Sequence, residues 1–118
     1  MLATIEQQGD TSLVKIMADT LDAGNEKRFR KEVISNLDPG SNVVMDLDRV
    51  NFIDSSGLGA ILSCYRHLQT AKGDLKLCRM KEAVRSLFEL VRMHRIFDIY
   101  DTLEEALASF EKKDAASK

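Results

Sequence analysis

Val43-Val44-Met45 is apolar on consecutive positions, and this run restricts the fold more than any other stretch of the chain. A strand with one wet face alternates polar and apolar residues, whereas a consecutive apolar run requires cover on both faces. Asn42 to Leu47 is therefore expected to be an interior strand. The next stretch is Asn51-Phe52-Ile53-Asp54-Ser55-Ser56-Gly57-Leu58-Gly59. Beyond it Leu58, Ile61, Tyr65 and Leu68 recur at helical spacing, with Leu62 adjoining, which predicts a helix from Gly57 to about Ala71. The stretch is thus a strand-to-helix turn, where Asp and Ser are natural N-cap residues because their side-chain oxygens accept from free backbone N–H groups. Capping leaves the rest of the motif unexplained. An acid, two hydroxyls and two glycines fall within six residues, at a helix end whose dipole favours anions.

The flanking sequence supplies a sheet and its helices. Ala3 to Gln7 and Ser12 to Met17 alternate around Gly9-Asp10, as a hairpin would. Ala18 to Asp22 reads as a loop. Phe29, Val33 and Leu37 follow at helical spacing, until Asp38-Pro39-Gly40 ends the segment. Leu75 and Leu77 predict a strand ending near Met80, Val84 to Val91 a helix, and Ile96 to Tyr100 a short strand. Leu103, Ala106, Leu107 and Phe110 share one face of a last helix, capped by Asp101 or Thr102 with Glu104 or Glu105 close behind. A frayed tail is expected from 112 to 118, leaving one domain over 1–111. A hairpin followed by strand–helix units gives an α/β fold, a small mixed β-sheet with helices packed on it. The working surface of such a sheet lies past the carboxyl ends of its strands, an edge that the loops Ala18 to Asp22 and Asn51 to Ser56 should reach.

Composition excludes several classes of function. A net charge of −2 over 118 residues offers no basic face for nucleic acid. No apolar run approaches the roughly 18 residues of a membrane span, and no leader pattern opens the chain, so a cytoplasmic protein is expected. Cys64 and Cys78 fall in a predicted helix and a predicted strand, as small core residues rather than a redox pair or metal ligands. No cofactor motif or metal-ligand cluster occurs, and Asp46 and Asp48 read as solvated or turn residues.

Asp54-Ser55-Ser56-Gly57-Leu58-Gly59, preceded by Val50-Asn51-Phe52-Ile53 and by Met45-Asp46-Leu47, resembles the signature of the STAS domain. More narrowly, it is similar to the bacterial anti-sigma factor antagonists. Leu21-Asp22 falls where that family has a Gly-Glu-Leu-Asp loop, with Ala18 in place of the usual Gly, and Lys81 to Val91 resembles its third helix. The resemblance implies a partner switch. Unphosphorylated, such a protein binds a serine kinase that doubles as an anti-sigma factor and so frees a sigma factor. Phosphorylation of the first motif serine, Ser55 here, breaks the complex, and a PP2C-type phosphatase reverses the modification. The resemblance places partner contacts at Asp22, Asp54, Ser55, Ser56, Gly57 and Leu58, on a monomer or weak dimer. An alternative within the family is a STAS interaction module of a lipid-transport or secretion-control complex, without phosphate turnover.

Each residue also has a purely architectural reading. Ser55 or Asp22 could be an N-cap, Ser56 could begin the helix rather than accept phosphate, and Asp54 could complement the helix dipole. Gly57 and Gly59 would permit close approach of a partner or a neighbouring strand. Catalysis by Ser55 as a nucleophile needs a base. His67 lies roughly 15 Å along the helix axis, at about 1.5 Å per residue, and His94 sits in a charged stretch. No Gly-x-Ser-x-Gly elbow frames the serine. The expectation is a non-enzymatic protein.

Overall fold

The computed structural model describes residues 1–116, with side-chain surroundings through residue 111. Strands β1 (Ala3–Gln8) and β2 (Thr11–Ile16) form the antiparallel hairpin, turning at Gly9, whose φ of 65° suits glycine. Strands β3 (Thr20–Leu21), β4 (Asn42–Asp46), β5 (Phe52–Ile53), β6 (Asp74–Cys78) and β7 (Asp98–Tyr100) follow. Helices α1 (Glu26–Ile34), α2 (Ser55–Gln69), α3 (Glu82–Leu90) and α4 (Leu103–Ala116) alternate with them. The main sheet has the order β1-β2-β4-β6-β7, antiparallel in its first pair and parallel thereafter, so the expected mixed sheet is present with β4 at its centre.

The consecutive apolar run of β4 is divided between two cores. Val43 and Met45 join Val14, Ile16, Phe29, Val33, Ile61, Leu68, Leu75, Leu77 and Phe88 on one side. Val44 joins Leu13, Cys78, Ala106 and Phe110 on the other, where α4 packs. All three β4 residues are fully buried, as cover on both faces requires. Lys76 pairs with Val44 in the register and is buried on the α4 side. Its ammonium donates to Ser109 Oγ at 2.8 Å and stands 4.4 Å from the centre of the Phe110 ring. Hydrogen bonding and the ring face compensate a cation that would otherwise be costly to bury.

Several boundaries differ from the sequence reading. The two presumed loops contain β3 and β5, which pair in parallel, Thr20 with Phe52 and Leu21 with Ile53. Two-residue strands are too short to show any periodicity. Helix α1 stops at Ile34 and Leu37 is buried beyond it. Helix α2 begins at Ser55 rather than Gly57, and β6 ends at Cys78 rather than near Met80. A 3-10 turn at Met93–Arg95 precedes β7. The cap of α4 is as expected: Thr102 Oγ1 accepts from the Glu105 N–H at 3.1 Å, and Glu105 Oε1 accepts from the Thr102 N–H at 3.2 Å. The backbone of α4 continues through Ala116, past the point where the apolar pattern ends, while residues 117 and 118 of the expected tail lie outside the described residues.

Asp46 is not a solvated residue. It is 3% exposed, and its Oδ1 accepts from Arg79 Nε at 3.2 Å and from the Asp48 N–H at 3.0 Å. Arg79 also reaches Asp48 Oδ2 at 3.3 Å. The guanidinium therefore bridges the two carboxylates as an arginine clamp.

Both cysteines are buried and free, as small core residues. Desolvation pushes each thiol from 9.0 up to about 12. A raised thiol value contributes stability that is whole below the unfolded value and is lost as pH rises through the folded one, so this contribution fades between about pH 9 and pH 12. The folded protein should accordingly give no fast reaction with a disulfide reagent at pH 8, and both thiols should react once urea unfolds it. Rapid titration of either thiol in the native protein would contradict this burial.

Candidate functional site

Pairing of β3 with β5 brings the segment before α1 alongside the turn before α2, two places far apart in sequence. Asp54 holds them together. It is the N-cap of α2, in extended conformation, and its Oδ1 accepts from the Gly57 N–H at 2.9 Å. Its Oδ2 accepts from the Ala23 N–H at 3.2 Å. The Asp54 N–H donates to the Leu21 carbonyl at 3.3 Å, and the Asp54 carbonyl accepts from the Leu58 N–H at 2.9 Å. One acidic residue thus caps a helix and ties it to another segment, which accounts for Asp54 beyond a general preference for acids at helix N-termini.

Gly57 is required by the same approach. A Cβ at Gly57 would fall onto the Leu21 carbonyl oxygen and 2.7 Å from Ile53 Cγ1. Gly59 is different: a Cβ there meets nothing within 4 Å, and the residue is exposed. Of the two close approaches expected, the neighbouring-strand contact belongs to Gly57 alone. Leu58 is buried in the core. Gly57 and Leu58 therefore shape the turn from beneath.

Ser55 and Ser56 are the first two residues of α2, so neither is its cap. Ser55 is exposed and Ser56 half-buried. Among the described residues the Ser55 hydroxyl has no protein partner, and it stands at the positive end of α2, whose first turn contains no acid. Asp22 is not the cap of α1 either; that position is Asn25. Asp22 Oδ1 accepts from the Gly24 N–H at 2.9 Å, while Asn25 Oδ1 accepts from the Asp22 N–H at 3.0 Å and Asn25 Nδ2 donates to the Thr20 carbonyl at 2.8 Å. Asn51 receives Lys81 Nζ on its Oδ1 at 2.7 Å and donates its N–H to the Asp19 carbonyl at 2.7 Å. A network of side-chain and backbone bonds therefore fixes both segments around Ser55.

The two histidines lie on other elements or farther along α2. His67 Nε2 lies 2.7 Å from the Leu37 carbonyl, and His94 is exposed in the 3-10 turn. Phe52 was not among the expected contact residues, yet it is 53% exposed beside the site. The sequence carried no signal for it, because the outward direction of Phe52 follows only from its pairing in the two-residue β5, where Ile53 takes the buried side.

A family profile described as STAS domain matches residues 3–106. The chain belongs to the STAS domain family. Among its relatives, BtrV of Bordetella bronchiseptica, which carries the name of an anti-sigma factor antagonist, is 31% identical over 103 residues, covering 86% of this chain and 89% of that one. The structure of unphosphorylated SpoIIAA, an anti-sigma factor antagonist, superimposes with a TM-score of 0.75 at 21% identity over 93% of this chain and 96% of that one. The phosphorylated form of SpoIIAA, from Bacillus, superimposes with a TM-score of 0.66 at 22% identity over 92% and 98%. These likenesses establish the STAS fold for the chain. Among the described residues no helix is long and apolar enough to cross a membrane.

The two glycines give opposed expectations for stability. Gly57→Ala should lower unfolding free energy by about 1–3 kcal/mol, because a backbone carbonyl must give way to the new methyl. Gly59→Ala should raise it by up to about 1 kcal/mol, since the position is helical and open. Urea unfolding of both variants checks this, and equal effects would contradict the geometry of the turn.

Proposed function

We propose that the protein is an anti-sigma factor antagonist switched at Ser55. Unphosphorylated, it binds an anti-sigma factor that is also a serine kinase, and a sigma factor is released. Phosphate on Ser55 ends the binding, and a PP2C-type phosphatase restores it. The observation carrying this reading is the exposed, unpartnered Ser55 hydroxyl at the start of α2, within a STAS domain whose relatives bear the names of anti-sigma factor antagonists. Asp22, Asp54, Ser56, Gly57 and Leu58 are the proposed neighbours of Ser55 in the partner contact, with Gly57 and Leu58 also holding the turn in shape.

The helix end supports such a modification energetically. A phosphoserine carries about −1.5 to −2 charges, and the first turn of a helix stabilises nearby negative charge by about 0.3–1 kcal/mol. The modified fold should therefore persist. A docked partner meets a different situation, because the phosphate must lose water or face charge in the contact; for scale, two unit charges about 5 Å apart interact by roughly 3 kcal/mol at an effective dielectric near 20. At about 1.4 kcal/mol per tenfold change, that alone is on the order of a hundredfold in affinity. Ser56, half-buried, is the less accessible acceptor.

Ser55→Ala should keep anti-sigma binding and resist the kinase, whereas Ser55→Glu should weaken binding by about a hundredfold with melting within a few degrees of wild type. Calorimetric titration of the purified anti-sigma factor into each variant measures this. Equal affinity of Ser55→Glu and wild type would overturn the switch, and phosphate found only on Ser56 in protein recovered from cells would overturn the assignment to Ser55.

A further inference from the structure

We infer that Phe52 is the apolar anchor of the partner contact, and that phosphate on Ser55 breaks the contact because it must be desolvated there, not because it meets negative charge on the partner. The inference rests on the reading of Ser55 as the switched residue. Among the described residues, the exposed large apolar side chains are Met1, Phe52, Leu90, Val91 and Ile96, and Phe52 is the one at this site. Its outward direction is imposed by the strand: Ile53 is buried, so Phe52 must face the other way. Three residues of chain place the Phe52 and Ser55 Cα atoms within about 11 Å of each other. A half-exposed aromatic held by a short strand loses little entropy on docking, and such residues dominate binding energy at interface centres.

Along α2 the surface beyond Ser55 carries no charge for about three helical turns. Gly59, one helical turn on, exposes bare backbone, and the next residues on that face, Leu62 and Ser63, are half-buried. Arg66 is the first charged residue along α2. The carboxylates of Asp54 and Asp22 already accept backbone N–H groups. An aromatic ring, bare helix backbone and a neutral hydroxyl fit an uncharged surface with a pocket for the ring, and the occupant is the anti-sigma factor of the proposed switch. A dianion enclosed by that surface gives up its hydration. Hydration loss is insensitive to salt, whereas repulsion across several ångströms is screened when the Debye length falls from about 10 Å at 0.1 M to about 3 Å at 1 M.

The two explanations separate in a titration of the purified anti-sigma factor kinase at 0.1 M and 1 M NaCl. The titrated proteins are wild type, Ser55→Glu, Phe52→Ala and Phe52→Gln, the last retaining a long side chain over Thr20. Each Phe52 variant should bind at least about tenfold more weakly with melting close to wild type. The penalty of Ser55→Glu should change by less than about threefold between the two salts. Binding of both Phe52 variants within about twofold of wild type would remove the anchor, and a penalty that falls about tenfold at 1 M would show charge repulsion instead. Wild-type affinity of Ser55→Glu at both salts would refute the switch itself, while loss of binding in the Phe52 variants would still stand as its own result.

Discussion

Two backbone N–H groups on separate segments, those of Ala23 and Gly57, share the Asp54 carboxylate. Most of the site follows from this arrangement. With Asp54 at the cap, Ser55 must be the first residue of α2 and points into solvent. The Leu21 carbonyl, accepting from the Asp54 N–H, comes so close to α2 that residue 57 can carry no side chain. An acid and a glycine that look like parts of a chemical motif are therefore first the means of holding two segments together. Charge-assisted bonds from backbone N–H groups to a carboxylate are among the stronger hydrogen bonds, which suits a position that must keep its shape.

This construction separates the element that changes from the element that carries the fold. The cores lie on the two faces of the five-stranded sheet, beneath α1, α2 and α3 on one side and α4 on the other. Ser55 belongs to neither, although Gly57 and Leu58, just after it, are buried. Charge added at Ser55 thus meets a helix terminus and solvent, not packed side chains. The proposed switch would accordingly change binding without changing the fold.

The larger elements were legible because each has a periodicity of its own. The unbroken apolar run at Val43 to Met45 announced cover on both faces, and the two cores divide those residues by alternation. The capping box of α4 was legible to within one residue, because its chemistry is local; of Asp101 or Thr102 and Glu104 or Glu105, the structure selects Thr102 and Glu105. What could not be read depends on contacts between distant segments. The β3–β5 pair is two residues long on each side and exists only because the chain returns to it. The burial of Asp46 needs Arg79, and that of Lys76 needs Ser109 and Phe110, all more than thirty positions away. At the site, the motif was visible, but the division of labour within it was not: Asp54 takes the cap, and Phe52 points outward.

Native-state hydrogen exchange on the protein before and after stoichiometric phosphorylation at Ser55 tests the central claim most directly. The account predicts that the amides of Ala23 and Gly57 stay protected in both states, because the Asp54 carboxylate continues to hold them. Loss of protection at both amides on phosphorylation would mean that the modification dismantles the junction, and that the switch acts by changing the fold.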